Sequence, residues 1–460
     1  MQHRDNAPVV RRLLPAAMLL ALLAPGTALA DTPREQALEA RIAQLEQQVQ
    51  ALLAAQPQQA AQVQALRVDV DQAKAATAAA VPAGKQPIQL TSITPGATPG
   101  TTLRVGGFIK ADFLSTQTGD GQLADDATGR ALYLPGQTPV HGAGGSGEGS
   151  DWDTNFHAKF SRLTFGLDHA NDKGDKAGAV LEVDFFGNTL GNQNATNTYG
   201  TTVRHAYMYW NNWLAGQTWS NFMDAGLLPE AADFVGPTDG VLFVRQAQVR
   251  YTNGGFSIAL ENPETTLING ASSDRGALPD LTARYNWKGD WGHVGVAGIV
   301  RQLSVDRAVG GVNYNDDSVG GGVTVGGRWA MSPTNALHYQ LTGGEGIARY
   351  IGLGITGDAT LDAVDGSLDS TGVLAGFVGW RHNINERLRT NLIYARSDYD
   401  NSDAAGGLVT RSVQSVRGNL FYTPMPKVDV GAELMYGVRE IEDGRKGDIS
   451  RIQFTTKYSF

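Results

Sequence analysis

From Leu103 to the last residue the chain repeats one pattern: apolar and polar residues alternate over several positions, break off, and begin again. Period-two alternation marks a strand with one apolar and one polar face. The last ten residues show it clearly. Ile452, Phe454, Thr456, Tyr458 and Phe460 make one face, and Arg451, Gln453, Thr455, Lys457 and Ser459 the other. About sixteen such runs can be placed, near 102–113, 156–168, 176–187, 202–211, 212–219, 242–252, 255–262, 279–288, 291–302, 317–330, 335–345, 371–382, 388–397, 412–423, 427–440 and 448–460. Their connections alternate in length. Short links such as 171–175, 211–212, 253–255, 288–290, 331–334, 383–387 and 423–426 fall between long ones at 114–155, 188–201, 220–241, 263–278, 303–316, 346–370, 397–411 and 441–447. Short turns at one end and long loops at the other predict an all-β transmembrane barrel of about sixteen antiparallel strands. A closed barrel is one of two ways to satisfy every backbone amide in lipid.

The aromatic residues agree. Tyr251, Trp287, Trp329, Trp380 and Tyr422 each sit beside a short turn on the apolar face, and Tyr458 lies at the same end of the last strand. That is the girdle of a periplasmic interface. No stretch after residue 30 approaches the roughly 20 apolar residues of a membrane helix, and the mean hydropathy of -0.23 fits alternating strands. The chain has no Cys, which removes thiolate metal sites and thiol nucleophiles. Its net charge of -9 argues against a nucleic-acid partner.

Ahead of the barrel, residues 1–30 read as a signal peptide: Arg11 and Arg12, an apolar run 13–24, and the cleavage site Ala28-Leu29-Ala30. Residues 31–72 read as a periplasmic α-helical coiled coil. Leu38, Ile42, Leu45, Val49 and Leu52 are spaced 4-3-4-3, and Ile or Val alternating with Leu in that seam favours two strands. An Ala-, Pro-, Gly- and Thr-rich linker covers 73–101, and the barrel 102–460.

With the bulky apolar parity facing lipid, the opposite parity faces the lumen. It carries Arg162, Arg250, Arg284, Arg301, Arg328 and Arg417, and Arg204 on a strand that is aromatic on both parities. Glu182, Asp184, Glu261, Glu433 and Asp112 face inward too. Inward guanidiniums attract and orient carboxylates or phosphates, unless the acids pair with them and merely fill the lumen. The third long loop, 220–241, mixes Phe222, Met223, Leu227, Leu228, Phe234 and Val235 with Asp224, Glu230, Asp233 and Asp239. A loop that apolar is expected to be buried. Folded into the lumen, it would form a constriction with Phe222, Asp224, Glu230 and Asp233; the alternative is a subunit contact.

Chemical motifs are weak. Gly142-Ala-Gly-Gly-Ser-Gly147 lacks a strand–helix setting, Asp151-Trp-Asp153-Thr-Asn155 lacks the rest of a calcium loop, the histidines are scattered, and no nucleophile elbow occurs. No enzyme activity, metal or cofactor is expected.

Several stretches taken in order resemble the DcaP-like family of outer-membrane porins: Gly106-Gly-Phe-Ile-Lys-Ala-Asp112, Ser161-Arg162-Leu163, Glu182-Val-Asp-Phe-Phe186, Arg204-His-Ala-Tyr207, Gly216-Gln-Thr-Trp-Ser220 and Arg245-Gln-Ala-Gln-Val-Arg-Tyr251. The resemblance implies a sixteen-stranded homotrimer that passes small anionic solutes, notably dicarboxylates, through an arginine-lined pore. It implies pore-lining roles for Arg162, Arg204, Arg250 and Arg284, whereas Arg301, Arg328 and Arg417 rest on parity alone. The expected location is the Gram-negative outer membrane, with lipid and lipopolysaccharide around the barrel. Two other readings are a barrel hydrolase and an envelope tether, the latter with a plugged barrel and a coiled coil touching peptidoglycan.

Overall fold

The computed structural model describes residues 101–125, 127–187, 199–268, 276–309 and 312–460, together with Arg41, Gln44 and Gln47, which are helical. The signal peptide, the linker up to residue 100 and, apart from those three positions, the coiled coil lie outside the described residues.

Seventeen strands form one antiparallel sheet. The first half holds β1 (Thr101–Thr118), β2 (Asp153–His157), β3 (Arg162–Ala170), β4 (Lys176–Gly187), β5 (Gly200–Trp210), β6 (Trp213–Trp219), β7 (Arg245–Asn253) and β8 (Phe256–Glu261). The second half holds β9 (Asp280–Gly289), β10 (Gly292–Val309), β11 (Val312–Ala330), β12 (Asn335–Glu345), β13 (Gly372–Asn383) and β14 (Leu388–Asp400). It ends with β15 (Thr410–Met425), β16 (Val428–Ile441) and β17 (Lys446–Ser459). One edge of β1 bonds β17, from Phe108 opposite Ser459 to Thr118 opposite Ile449. Its other edge bonds β2 and β3 laid end to end. The sheet therefore closes as a barrel of sixteen staves.

The alternation does what period two requires. On β12, Gln340 and Thr342 are buried while Leu341 between them is exposed to the outside. Trp287, Trp329, Trp380, Tyr422 and Tyr458 are exposed beside the short turns, joined there by Trp210, Trp213 and Trp291. Tyr251 is half-buried against Trp213, with ring centroids 5.0 Å apart.

Several boundaries differ from the sequence reading: β1 runs on to Thr118, and the run 156–168 is the interrupted pair β2 and β3. The stretch 303–316 is not a long loop, because β10 and β11 run to Val309 and from Val312. Their overshoot is covered: Leu303 and Val305 are buried in a cluster with Ala359, Leu361 and Leu368, from a small hairpin of the sixth loop. Conversely, residues 242–244 belong to the third loop, since the wall resumes at Arg245.

Loops fold into the interior and pack on one another and on the wall. The third loop meets the sixth, where Phe243 N donates to Tyr350 O at 2.9 Å and Gly352 N to Val241 O at 2.9 Å. Phe222, Leu227, Leu242, Ile347, Tyr350 and Ile351 are buried there in one apolar cluster, with Val373, Phe377 and Val413 of the wall. The first loop supplies Tyr133, whose N–H donates to Asp233 at 2.9 Å and whose hydroxyl donates to Asp239 at 2.8 Å. At Gly240 the third loop lies so close to β13 that a Cβ would strike the Gly376 carbonyl oxygen. Gly240→Ala should therefore cost about 1–3 kcal/mol, the usual range for overpacking, read as a lower temperature at which the folded barrel loses its compact gel mobility.

Candidate functional site

The inner wall is basic where the third loop leaves it. On β4 and β5, Glu182 pairs with His205 but Val183 pairs with Val203. The extra residue is Arg204, a β-bulge that turns Arg204 and His205 both inward, where each is buried. Arg204 Nε donates to Glu182 at 3.0 Å and a terminal nitrogen to Asp184 at 2.8 Å. Arg162, opposite Asp184 in register, keeps Nε 3.4 Å from Glu182 and lies over the Phe108 ring at 5.0 Å.

A third guanidinium completes the group. The last register pair of β6 and β7 is Trp219 opposite Arg245, where both strands hand over to the third loop. Arg245 there lies 4.7 Å over Trp219 and 5.9 Å over Phe243, within electrostatic reach of Arg204 and Arg162. It makes no ion pair among the described residues, and one terminal nitrogen is buried without a hydrogen-bond partner. Sequence parity missed Arg245, because its odd position belongs to the lipid face for as long as the strand stays in the wall. The neighbouring Trp219 was the available signal. Three guanidiniums thus face two carboxylates.

The remaining predicted arginines all point inward but differ in cover. Arg250 and Arg328 are half-buried and make no ion pair among the described residues. Arg284 holds the third loop, donating to the carbonyls of Asn221 at 3.4 Å and of Met223, with Asp224 at 3.3 Å. Arg301 is fully enclosed between Asp358 at 3.0 Å and Asp280 at 3.4 Å. Arg417 lies under the loops beside Glu433 at 3.4 Å and the Tyr133 ring at 5.4 Å.

The predicted loop residues are turned toward anchors. Phe222 is buried against Tyr350, centroids 5.9 Å apart. Asp224 meets His293 at 3.1 Å as well as Arg284. Glu230 accepts two bonds of 2.7 Å from Arg389, which also reaches Asp429 at 3.0 Å. Asp233 is taken by the Tyr133 N–H. Ala232 O accepts from Lys110 at 2.8 Å and Gln453 at 2.9 Å. The inward acids are engaged as well: Asp112 by Lys110, Glu433 by Arg417 and the Ala232 N–H at 2.9 Å, and Glu261 by the Asn221 N–H at 2.7 Å. In the third loop, burial pushes the Asp239 carboxyl up to about 6, against the opposing pull of its bond from Ser415, the Arg417 charge and its bond from Tyr133. Among the described residues no group of three His, Cys, Asp or Glu could hold a metal ion.

A closed barrel of sixteen staves with an aromatic girdle and a loop folded across its lumen has the fold of an outer-membrane porin. The chain matches the family model of the DcaP outer membrane protein over residues 136–460 and belongs to that family. The crystal structure of the outer membrane channel DcaP of Acinetobacter baumannii is similar at 26% identity and a TM-score of 0.64, over 79% of this chain and 99% of that one. An anion-selective porin from Comamonas acidovorans is similar at 12% identity, TM-score 0.48, over 78% of this chain and 100% of that one. Salmonella typhi OmpF, in complex with daunomycin, stands at 11% identity and a TM-score of 0.48, over 78% and 98% of the two chains. No curated protein sequence matches the chain.

Two outcomes follow from the buried charges. Asp358→Ala leaves Arg301 enclosed with only half its counter-charge and should cost about 3–5 kcal/mol, read by the same gel shift. Asp239 binds its proton more tightly folded than unfolded, so its stabilising contribution is complete below 3.8 and is lost as pH rises through about 6. Asp239→Asn should flatten that part of the stability profile.

Proposed function

We propose that the barrel lets small anionic solutes, dicarboxylates among them, diffuse passively across the outer membrane, and that an excess of guanidiniums over carboxylates on its inner wall sets the preference. One observation carries this reading. Arg162, Arg204 and Arg245 face only Glu182 and Asp184, while the carboxylates of the third loop are engaged elsewhere. The constriction is then positive on the wall side without a free acid opposite. A charge about 10 Å from a passing carboxylate, at an effective dielectric near 20, contributes about 1.7 kcal/mol. Arg250 extends the positive face along β7. The same reading takes copies to associate as homotrimers and the apolar outer wall to meet outer-membrane lipid and lipopolysaccharide. A peptidoglycan contact would involve residues outside those described. The likeness to the DcaP channel favours a pore over a hydrolase or a plugged tether.

The test is the reversal potential of purified channels in a planar bilayer under a salt gradient. The wild type should favour anions, and a variant with Arg162, Arg245 and Arg250 all changed to Ala should lose about tenfold in anion-to-cation permeability ratio, equivalent to about 1.4 kcal/mol. Cation preference in the wild type, or an unchanged potential in the variant, would discard this mechanism.

A further inference from the structure

The third loop is tied to the wall along most of its course, yet it reaches the basic side of the lumen through a ring. Phe234 lies between Asp233 and Val235, both buried. Asp233 accepts from the N–H groups of Tyr133 at 2.9 Å and Val235 at 3.2 Å, so the backbone beneath the ring is held. The ring itself is only half-buried. It stacks on Phe160 with centroids 4.6 Å apart at 27°, lies 5.9 Å from Phe186, and has the Arg204 guanidinium 5.2 Å from its centroid.

Two partners of this ring come from the wall, while Phe243 of the same loop lies 6.1 Å from it on the other apolar cluster. Phe160 belongs to the four residues that interrupt the stave between β2 and β3. Ser161 pins that interruption, its hydroxyl accepting from Lys110 N at 3.0 Å and donating to Lys110 O at 3.2 Å. Phe186 stands at the extracellular end of β4, and Leu132 and Leu134 of the first loop back the cluster. An apolar bridge therefore runs from the wall to the loop directly beside Arg204.

We propose that Phe234 is a side-chain gate, closing against Phe160 and Phe186 and opening by rotation of its ring while the loop stays in place. This rests on the channel reading above. Apolar constrictions resist water and ions, and a ring leaving its packed partners moves more slowly than an exposed side chain but far faster than the millisecond movements of whole loops and domains. The gate therefore lowers mean conductance without producing resolved closures.

Single-channel conductance and reversal potential of Phe234→Ala, Phe234→Leu and the wild type test it, with folding of each checked by heat-modifiable gel mobility. Phe234→Ala should raise conductance about twofold or more, with Phe234→Leu in between and the sign of the potential kept. Wild-type conductance in folded Phe234→Ala overturns the gate and leaves the channel standing. If Phe234→Ala fails to fold, wild-type conductance in Phe234→Leu overturns it equally. Absence of channels from folded wild type overturns the channel reading, and the gate with it.

Discussion

The seam between β1 and β17 is the contact on which the rest depends. A sheet edge left open in lipid would expose a row of unpaired amides and carbonyls, each costing several kcal/mol. The pairing from Phe108–Ser459 to Thr118–Ile449 removes that edge. It also sets which parity of the terminal strands faces inward, and so carries Asp112, Arg451 and Gln453 into the lumen, where all three are buried. Two seam residues then do a second job, since Lys110 and Gln453 both donate to the Ala232 carbonyl of the third loop. Closure and filling of the barrel are thus parts of one hydrogen-bonded arrangement.

Filling sorts the inward charges into two kinds. An ion enclosed away from water must find a counter-ion close by, because its desolvation cost is otherwise several kcal/mol. Arg301, between Asp280 and Asp358, and Arg417, beside Glu433, meet that condition and serve to hold loops against the wall. A guanidinium left in contact with the lumen needs no such partner. Arg250 and Arg328 are half-buried and have none among the described residues. Inward direction alone does not decide which kind an arginine is; the loop above it does.

That distinction explains what was legible in the sequence and what was not. Alternation and the position of Trp and Tyr are local, periodic properties, so the staves, the sides of the wall and the girdle could be read directly. The inward parity of Arg162, Arg250, Arg284, Arg301, Arg328 and Arg417 followed from the same rule. Arg204 was ambiguous because its strand is aromatic on both parities, and nothing in Val203-Arg204-His205 announces the bulge that turns it inward. Arg245 escaped because it is the first residue of β7, where the strand joins the third loop and its side chain turns toward Trp219 and Phe243 against the alternation. The cover over Arg301 and Arg417 comes from contacts between loops more than a hundred residues apart in places, such as Tyr133 with Asp239. No single-chain pattern encodes such a pairing. The apolar third loop was legible as something that must be buried, and it is, but its companions from the first and sixth loops were not.

The acidic total of the chain does not describe the charge on its inner wall. Charge acts over a Debye length of about 8–10 Å at physiological salt, so acids on the outer loops, such as Asp365 and Asp443 in solvent-exposed turns, are screened from the lumen. Between low-dielectric walls field lines are focused, so a single excess guanidinium weighs more than its share of the net charge. The third loop adds to this by orientation. Its carboxylates Asp224, Glu230, Asp233 and Asp239 are all bound to anchoring donors, and what it presents to Arg204 is the face of an aromatic ring. A ring there neither neutralises the wall nor offers an anion a competing charge. On this side of the lumen three guanidiniums stand with two carboxylates, and the loop opposes them with an aromatic ring rather than an acid.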